Sequence, residues 1–176
     1  MKIFKDIFSG DEMLSDTFQL TLAYEDAIIK VQSKNRPKDM LITDIETDQA
    51  EGEHQQAQGS EPVEMVLDVV ANSELKGVKM SRNQFKDYIR GYFRKIISYL
   101  KENGREDRVD GFKKGATEFI NFIISKYDDI EIYTGANGEN DEGDIVGAIC
   151  ISYWEKDDAP GPMFYFFKDG LREEAV

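Results

Sequence analysis

The sequence predicts an α+β domain that is mainly antiparallel β-structure and carries an inserted α-helical hairpin. Three observations predict it. Strand-like segments fill the first forty residues, two amphipathic helical segments lie between residues 81 and 127, and strand-like segments return after residue 128. With 176 residues, 40 % of them hydrophobic, the chain is long enough for one well-formed core, so we expect residues 1–176 to form a single domain.

The first elements are predicted to be strands. β-Branched and aromatic residues recur in "IFKDIF", "TFQLTLA" and "AIIKVQ", and Phe18, Leu20 and Leu22 alternate with polar neighbours. Such alternation is typical of half-buried strands in an antiparallel sheet. The stretch "MVLDVVANS", which begins at Met65, is also strand-like. Residues 43–64 between these segments hold seven acidic and no basic residues, which predicts a mobile acidic loop.

The central segment predicts a helical hairpin over residues 81–127. Ser81 and Gln84 have the spacing of a capping box, and Asn103-Gly104 is typical of a helix end. Apolar residues at helical spacing predict the buried face of the first helix, namely Phe85, Tyr88, Ile89, Tyr92, Ile96, Tyr99 and Leu100. The second helix is expected to begin near Asp107 and to bury Phe112, Ala116, Phe119, Ile120, Ile123 and Tyr127.

Three glycines lie inside these helices, although a glycine costs about 1 kcal/mol relative to alanine in a helix. They are Gly91, Gly111 and Gly115. We expect close packing against a neighbouring helix or strand to compensate for this cost, and local flexibility is the alternative. After Asp128 the segments "IEIYT", "IVGAICISYW" and "MFYFFK" predict further strands, separated by turn-forming residues.

Charge is distributed unevenly along the chain. The net charge of −13 argues against nucleic acid and anionic membranes as partners of the whole surface. The segment from Lys79 to Lys114, however, contains eleven Lys or Arg residues and only five Asp or Glu residues. A basic face of the first helix is formed by residues four apart, Arg82, Lys86, Arg90 and Arg94. We expect this basic face to bind an acidic partner, and an ordinary solvated face is the alternative.

Signals for catalysis are scarce, so an enzyme is not expected, nor an obligatory cofactor. The single histidine, His54, lies in the predicted loop, and the single cysteine, Cys150, lies in the most apolar strand, where a buried structural role is expected. No phosphate-binding glycine loop is present. No apolar run is long enough for a membrane span, and the first residues lack a signal-peptide core. Together with the single cysteine, this predicts a soluble cytoplasmic protein.

Two acidic clusters are candidate binding sites. The first, in "SGDEMLSD", contains Asp11, Glu12 and Asp16. It is interpreted as a partner-docking surface, with calcium binding as a second interpretation. In a third, Asp11 or Ser15 caps a turn while Met13 and Leu14 anchor it to the core. An ordinary solvated acidic surface is a further alternative for this cluster and for the next. The second cluster, "GENDEGD", supplies weak calcium candidates, although it lacks the spacing of an EF-hand: Glu139, Asp141, Glu142 and Asp144.

Over nearly its full length the chain resembles the translationally controlled tumour protein family. The resemblance rests on "FSGDEMLSD" near the N-terminus, the helical hairpin from Ser81 to Tyr127, and "FFKDGL" from Phe166 to Leu171. It implies an Mss4-like β-tent from which the hairpin projects. It also implies a non-enzymatic cytosolic protein that binds calcium, associates with microtubules through tubulin, and supports growth and survival.

The resemblance further implies regulation of a small GTPase of the Ras family or of the translation elongation factor 1A system. Chaperone-like, anti-apoptotic interaction through the apolar hairpin surface is an alternative. In the family the GTPase contact is attributed to an N-terminal glutamate, which corresponds to Glu12 in this sequence. A second acidic position of the family corresponds to Ala136, so only a shifted loop would let Glu139 take its place.

Overall fold

Two ranges of the chain, residues 1–38 and 64–176, are described by the computed structural model. The predicted acidic loop 43–64 lies, apart from Glu64, outside the described residues, and so does His54. The described strands, in chain order, are β1 Lys2–Asp6, β2 Glu12–Ser15, β3 Leu20–Ala23, β4 Ile28–Gln32, β5 Asn35–Pro37, β6 Met65–Leu67, β7 Lys76–Val78, β8 Ile130–Thr134, β9 Ile149–Tyr153, β10 Met163–Phe167 and β11 Leu171–Ala175.

These strands pair antiparallel throughout, as the alternation predicted. A six-stranded sheet has the order β3-β4-β10-β9-β8-β7, a three-stranded sheet has the order β11-β1-β2, and β5 pairs with β6. Both larger sheets therefore join strands from the two ends of the chain. Their inner faces and the helices enclose the core, in which Phe164, Phe166 and Phe167 of β10 are almost completely buried.

Three α-helices occur in the described residues: α1 Asp68–Ser73, α2 Arg82–Glu102 and α3 Val109–Ser125. The predicted capping box at the start of α2 is confirmed, because Ser81 Oγ accepts from Gln84 N at 3.1 Å and Gln84 Oε1 accepts from Ser81 N at 2.8 Å. None of the described helices is long and apolar enough to cross a membrane. The hairpin of α2 and α3 matches the prediction for residues 81–127.

Most of the predicted helical core is buried, with three exceptions. Tyr88 and Tyr99 of α2 are only half-buried. Tyr127 was predicted to be buried in the second helix, and this was wrong, because α3 ends at Ser125 and Tyr127 begins a short 3₁₀ turn. Its hydroxyl instead donates to the Met80 carbonyl at 2.6 Å, which ties the end of the hairpin to its beginning.

The stretch from Met65 was only partly a strand. It leaves the extended conformation after Leu67 and forms α1, because the buried Asp68 supplies hydrogen-bond acceptors for the first helical turn. Asp68 Oδ1 accepts from Val69 N at 2.8 Å and from Lys34 N at 2.9 Å. Leu22 also differs from the prediction: it is 48 % exposed, because β3 is an edge strand of the six-stranded sheet.

The three helical glycines have different surroundings. A Cβ built on Gly115 would overlap the backbone carbonyl oxygen of Tyr24, so close packing is confirmed there. At Gly111 the nearest atom to such a Cβ is Arg108 Nη1, at 2.9 Å, which belongs to a movable side chain. Gly91 has nothing within 4 Å, so the packing explanation was wrong for this residue.

One buried ion pair joins the hairpin to the C-terminal strands. Asp169, whose side chain is fully buried, accepts from Arg108 Nε at 3.1 Å and from Arg108 Nη2 at 2.9 Å. This bidentate bond, assisted by its charges, raises the pKa of Arg108. The Asp169 carboxylate thus holds Arg108, which immediately precedes α3, against the "FFKDGL" segment.

Candidate functional site

A cleft of about 360 Å³ opens beside the start of β2, where the end of α1 approaches the turn after β8. Seven residues line it: Asp11, Glu12, Ala71, Asn72, Ser73, Glu74 and Ala136. We call it the Glu12 cleft. Its floor is rigid because the two residues after Glu12, Met13 and Leu14, are completely buried in the core.

The structure separates the three carboxylates of the first acidic cluster. Asp11 is almost buried, and its oxygens accept from Asn137 N at 2.7 Å and from Asn137 Nδ2 at 2.8 Å. Asp16 Oδ1 accepts from Lys2 N at 3.1 Å. Glu12 is half-exposed, and its carboxylate takes part in no hydrogen bond or ion pair within residues 1–38 and 64–176.

Asp11 therefore shapes the cleft from within. Its two bonds to Asn137 hold the turn that carries Ala136, and a Cβ on Gly135 would come within 2.6 Å of the Asp11 carboxylate. This matches the interpretation in which Asp11 caps a turn while Met13 and Leu14 anchor the segment. Ser15 also bonds internally, since its hydroxyl lies 2.6 Å from that of Thr17.

A further carboxylate that lines the cleft, that of Glu74, was not anticipated from the sequence. Glu74 follows α1 in a left-handed conformation (φ 53°), and its backbone N–H bonds to the last carbonyls of that helix. Its neighbour Ser73 is buried, and the Ser73 hydroxyl has no hydrogen-bond partner among residues 1–38 and 64–176. The signal in the sequence was the run of small polar residues "ANSE", which is more typical of a helix end than of a strand.

Glu139 does not take the place of the acidic residue expected at Ala136. It lines a different cleft, between β7, the start of α2 and the loop that follows β8, together with Lys79, Asp87 and Asp144. The backbone of Glu139 is also bridged to Ile145. The exposed acidic residue that shares the Glu12 cleft with Glu12 is therefore Glu74, and Glu139 lies elsewhere.

The second acidic cluster is organised by an asparagine. Asn140 Oδ1 accepts from the backbone N–H groups of Glu142 and Asp144, both at 2.9 Å. Within the described ranges, no group of three or more His, Cys, Asp or Glu side chains is arranged to hold a metal ion. Calcium binding by Glu139, Asp141, Glu142 and Asp144 stays a prediction from the sequence.

The basic face predicted on the first helix lies on α2. Arg82 and Arg90 are exposed but engaged, Arg82 with Asp128 at 3.9 Å and Arg90 with Asp87 at 3.0 Å. Lys86 is half-buried and Arg94 is exposed, and neither forms an ion pair within the part of the chain described. The buried residues of α2 form a neighbouring stripe of the helix, so the four basic residues flank the side that packs on the core.

Two further predictions concern chemistry and apolar exposure. Cys150 is completely buried, as expected, and this burial raises the pKa of its thiol far above its ordinary value, so a reactive thiolate is disfavoured.

The large hydrophobic side chains that are exposed in the described ranges all lie outside the hairpin: Met1, Leu22, Met65, Val146, Trp154 and Val176.

The family model described as "Translationally controlled tumour protein" matches residues 1–172. A homologue from Candida albicans is 31 % identical over 180 residues, covering 100 % of both chains, and homolog 1 from Dictyostelium discoideum is 30 % identical over 176 residues, covering 97 % of each.

Among solved structures, the chain is similar to the tumour-associated protein p23fyp from Schizosaccharomyces pombe, with a TM-score of 0.72 and 23 % identity over the whole of both chains. It is also similar to the solution structure of the translationally controlled tumour protein from Caenorhabditis elegans. For this structure the TM-score is 0.66 and the identity is 23 %, over 100 % of this chain and 99 % of that one. These similarities identify the fold as Mss4-like.

Proposed function

Because the chain belongs to the translationally controlled tumour protein family, we propose that it is a regulatory binding protein that docks a protein partner in the Glu12 cleft. The proposed partner is a small GTPase of the Ras family or the translation elongation factor 1A, and the proposed compartment is the cytoplasm. Binding of this kind needs a rigid surface and no bond-making residues.

One observation carries the proposal: Glu12 alone of the three neighbouring carboxylates has no partner within the described residues. Its backbone is held by the buried Met13 and Leu14, so little conformational freedom is lost when a partner binds. A half-exposed carboxylate on a fixed backbone is complementary to a lysine or arginine side chain. Glu74, which also lines the cleft, adds its negative charge to those of Glu12 and Asp11.

Replacing the Glu12 carboxylate tests this docking site. Glu12→Gln keeps the side chain's size but removes its charge, so we expect it to weaken binding of the partner about tenfold. The measurement is the dissociation constant for a purified Ras-family GTPase and for elongation factor 1A, with release of fluorescent GDP from the GTPase followed in parallel. Glu74→Gln is expected to weaken the same complex.

The matched control is Glu131→Gln, which removes one exposed carboxylate on β8, outside the Glu12 cleft. It should leave the dissociation constant unchanged. If neither candidate partner binds the wild-type protein, or if Glu12→Gln binds as tightly as wild type, the proposal is wrong. Nucleotide release that is equal for wild type and Glu12→Gln would reject nucleotide exchange as the activity.

A second binding function is favoured by the basic face on α2. Lys86 and Arg94 have no ion pair within the described residues, and four like charges at four-residue spacing repel one another. Such a surface is complementary to an acidic one, and we propose tubulin in microtubules as the partner. Neither proposed function depends on a bound calcium ion. The apolar hairpin interaction is not proposed, since no exposed large hydrophobic residue lies on the hairpin.

Reversing the charge of the basic face is expected to abolish most of the microtubule association. The variant replaces Arg82, Lys86, Arg90 and Arg94 by Glu, and the measurement is co-sedimentation with polymerised tubulin. Binding by the wild-type protein should also weaken as salt is raised, because exposed charges are screened.

The control reverses four other exposed lysines, so the net charge changes equally; these are Lys76, Lys113, Lys126 and Lys156. Equal loss of binding in both variants would show that only the net charge matters. Unchanged binding after reversal of the basic face would remove that face from the mechanism.

A further inference from the structure

A further cavity, distinct from the two clefts described above, lies where β1 and β11 meet the end of α2. It has a volume of about 300 Å³ and lies partly open to solvent. Three of its lining residues are basic and one is acidic, although acidic residues outnumber basic ones by 35 to 22 in the chain. The lining residues are Phe4, Tyr99, Arg105, Lys168, Leu171, Arg172 and Glu173.

The three basic residues come from separate elements. Arg105 follows Gly104, whose left-handed conformation (φ 71°) turns the chain out of α2. Lys168 begins the 3₁₀ turn after β10, and Arg172 lies on β11. Their convergence is therefore produced by the tertiary structure, and no single charged helix face accounts for it.

Few acidic groups of the described ranges neutralise these cations. Neither Arg105 nor the half-buried Lys168 forms an ion pair there. Arg172 lies 3.2 Å from Glu174, but that carboxylate is shared with Lys5 at 2.8 Å. The one acidic lining residue, Glu173, is directed to Lys2, 3.8 Å away. Arg105 and Lys168 therefore line one concave surface with no counter-charge in the described ranges, and an anion in the cavity would supply one.

We propose that this cavity binds a small organic phosphate through its phosphate group. A phosphate monoester carries close to two negative charges at neutral pH and offers several acceptor oxygens, which match the donors of Arg105 and Lys168. The volume is at the lower end of the range for small-molecule sites. Tyr99, which is half-buried, and Phe4 supply an aromatic surface for the organic part.

The test is an NMR titration of the full chain with inorganic phosphate and with phenyl phosphate, at an ionic strength held constant with sodium chloride. We expect saturable shifts that centre on the amides of residues 99–105 and 168–173, with phenyl phosphate bound at least as tightly as inorganic phosphate. Shifts that do not saturate, shifts that sodium chloride alone reproduces, or weaker binding of phenyl phosphate would each overturn the proposal.

Variants of the exposed Arg105 and the half-buried Lys168 locate the site. Arg105→Gln and Lys168→Gln should each weaken binding of phenyl phosphate about tenfold, because each removes a charge-assisted hydrogen bond. The control is Lys101→Gln, which removes an exposed charge on the last turn of α2 but does not line the cavity. Equal weakening by Lys101→Gln would show only general charge attraction and would overturn the proposal.

Discussion

Replacing Gly115 by alanine is expected to destabilise the protein by roughly 3 kcal/mol or more. The added methyl group would overlap the carbonyl oxygen of Tyr24, which is backbone and cannot rotate away. Relaxation is also restricted on the side of Tyr24, because Tyr24, Glu25 and Asp26 are three successive residues with positive φ. Helix α3 would have to move away from this turn. The measurement is the free energy of unfolding in urea.

Gly91→Ala is the matched control for this substitution. Gly91 also lies inside a helix, but nothing lies within 4 Å of the position that its Cβ would occupy. Alanine has the higher helix propensity, so this variant should be more stable than wild type by about 1 kcal/mol. If the two variants changed the free energy of unfolding in the same direction, the close packing of α3 on the Tyr24 turn would not be the reason for Gly115.

Asp169→Asn is expected to cost roughly 3 kcal/mol, because it leaves the Arg108 guanidinium facing a neutral group in a buried site. The side chain of Asp169 is fully buried, whereas that of Arg108 keeps 22 % exposure, so the loss should fall at the lower end of the range for buried pairs. The measurement is again the free energy of unfolding. It should be accompanied by amide exchange at the first turn of α3, which Arg108 precedes.

A double-mutant cycle with Arg108→Gln separates the ion pair from the other effects of each substitution. We expect the double variant to be more stable than the sum of the single losses predicts. Glu174→Gln, which removes a carboxylate paired with Arg172 and Lys5 at the surface, should change the free energy of unfolding far less than Asp169→Asn does, because water screens exposed ion pairs. Strict additivity of the two single variants would mean that Arg108 and Asp169 do not stabilise each other.

The fold was largely predictable because its signals are local. Alternation along the strands, the Ser81–Gln84 capping box and the apolar face of α2 depend on residues that are close in sequence. Helix α1 was missed because its first turn is completed by Asp68, which also bonds to Lys34 far away in the sequence. Local propensity carries no information about such a contact.

The candidate site was predictable only in part, for a related reason. Asp11, Glu12 and Asp16 look equivalent in the sequence, and only the distant partners Asn137 and Lys2 distinguish them. Glu74 could not be placed opposite Glu12, because their proximity depends on how α1 packs against β2. The same holds for the cavity at Arg105, whose three cations lie up to 67 positions apart in the chain.

The strand order has a consequence for how the protein is made. Strand β10 lies between β4 and β9, and β11 is the outer partner of β1. Both larger sheets therefore wait for segments that a ribosome synthesises well after the N-terminal strands, and among the described strands β4 has β3 alone as a sheet partner until β10 emerges. Pairings so remote in sequence slow the search for the native state, so the nascent N-terminal strands must remain unaggregated until β10 and β11 have been made.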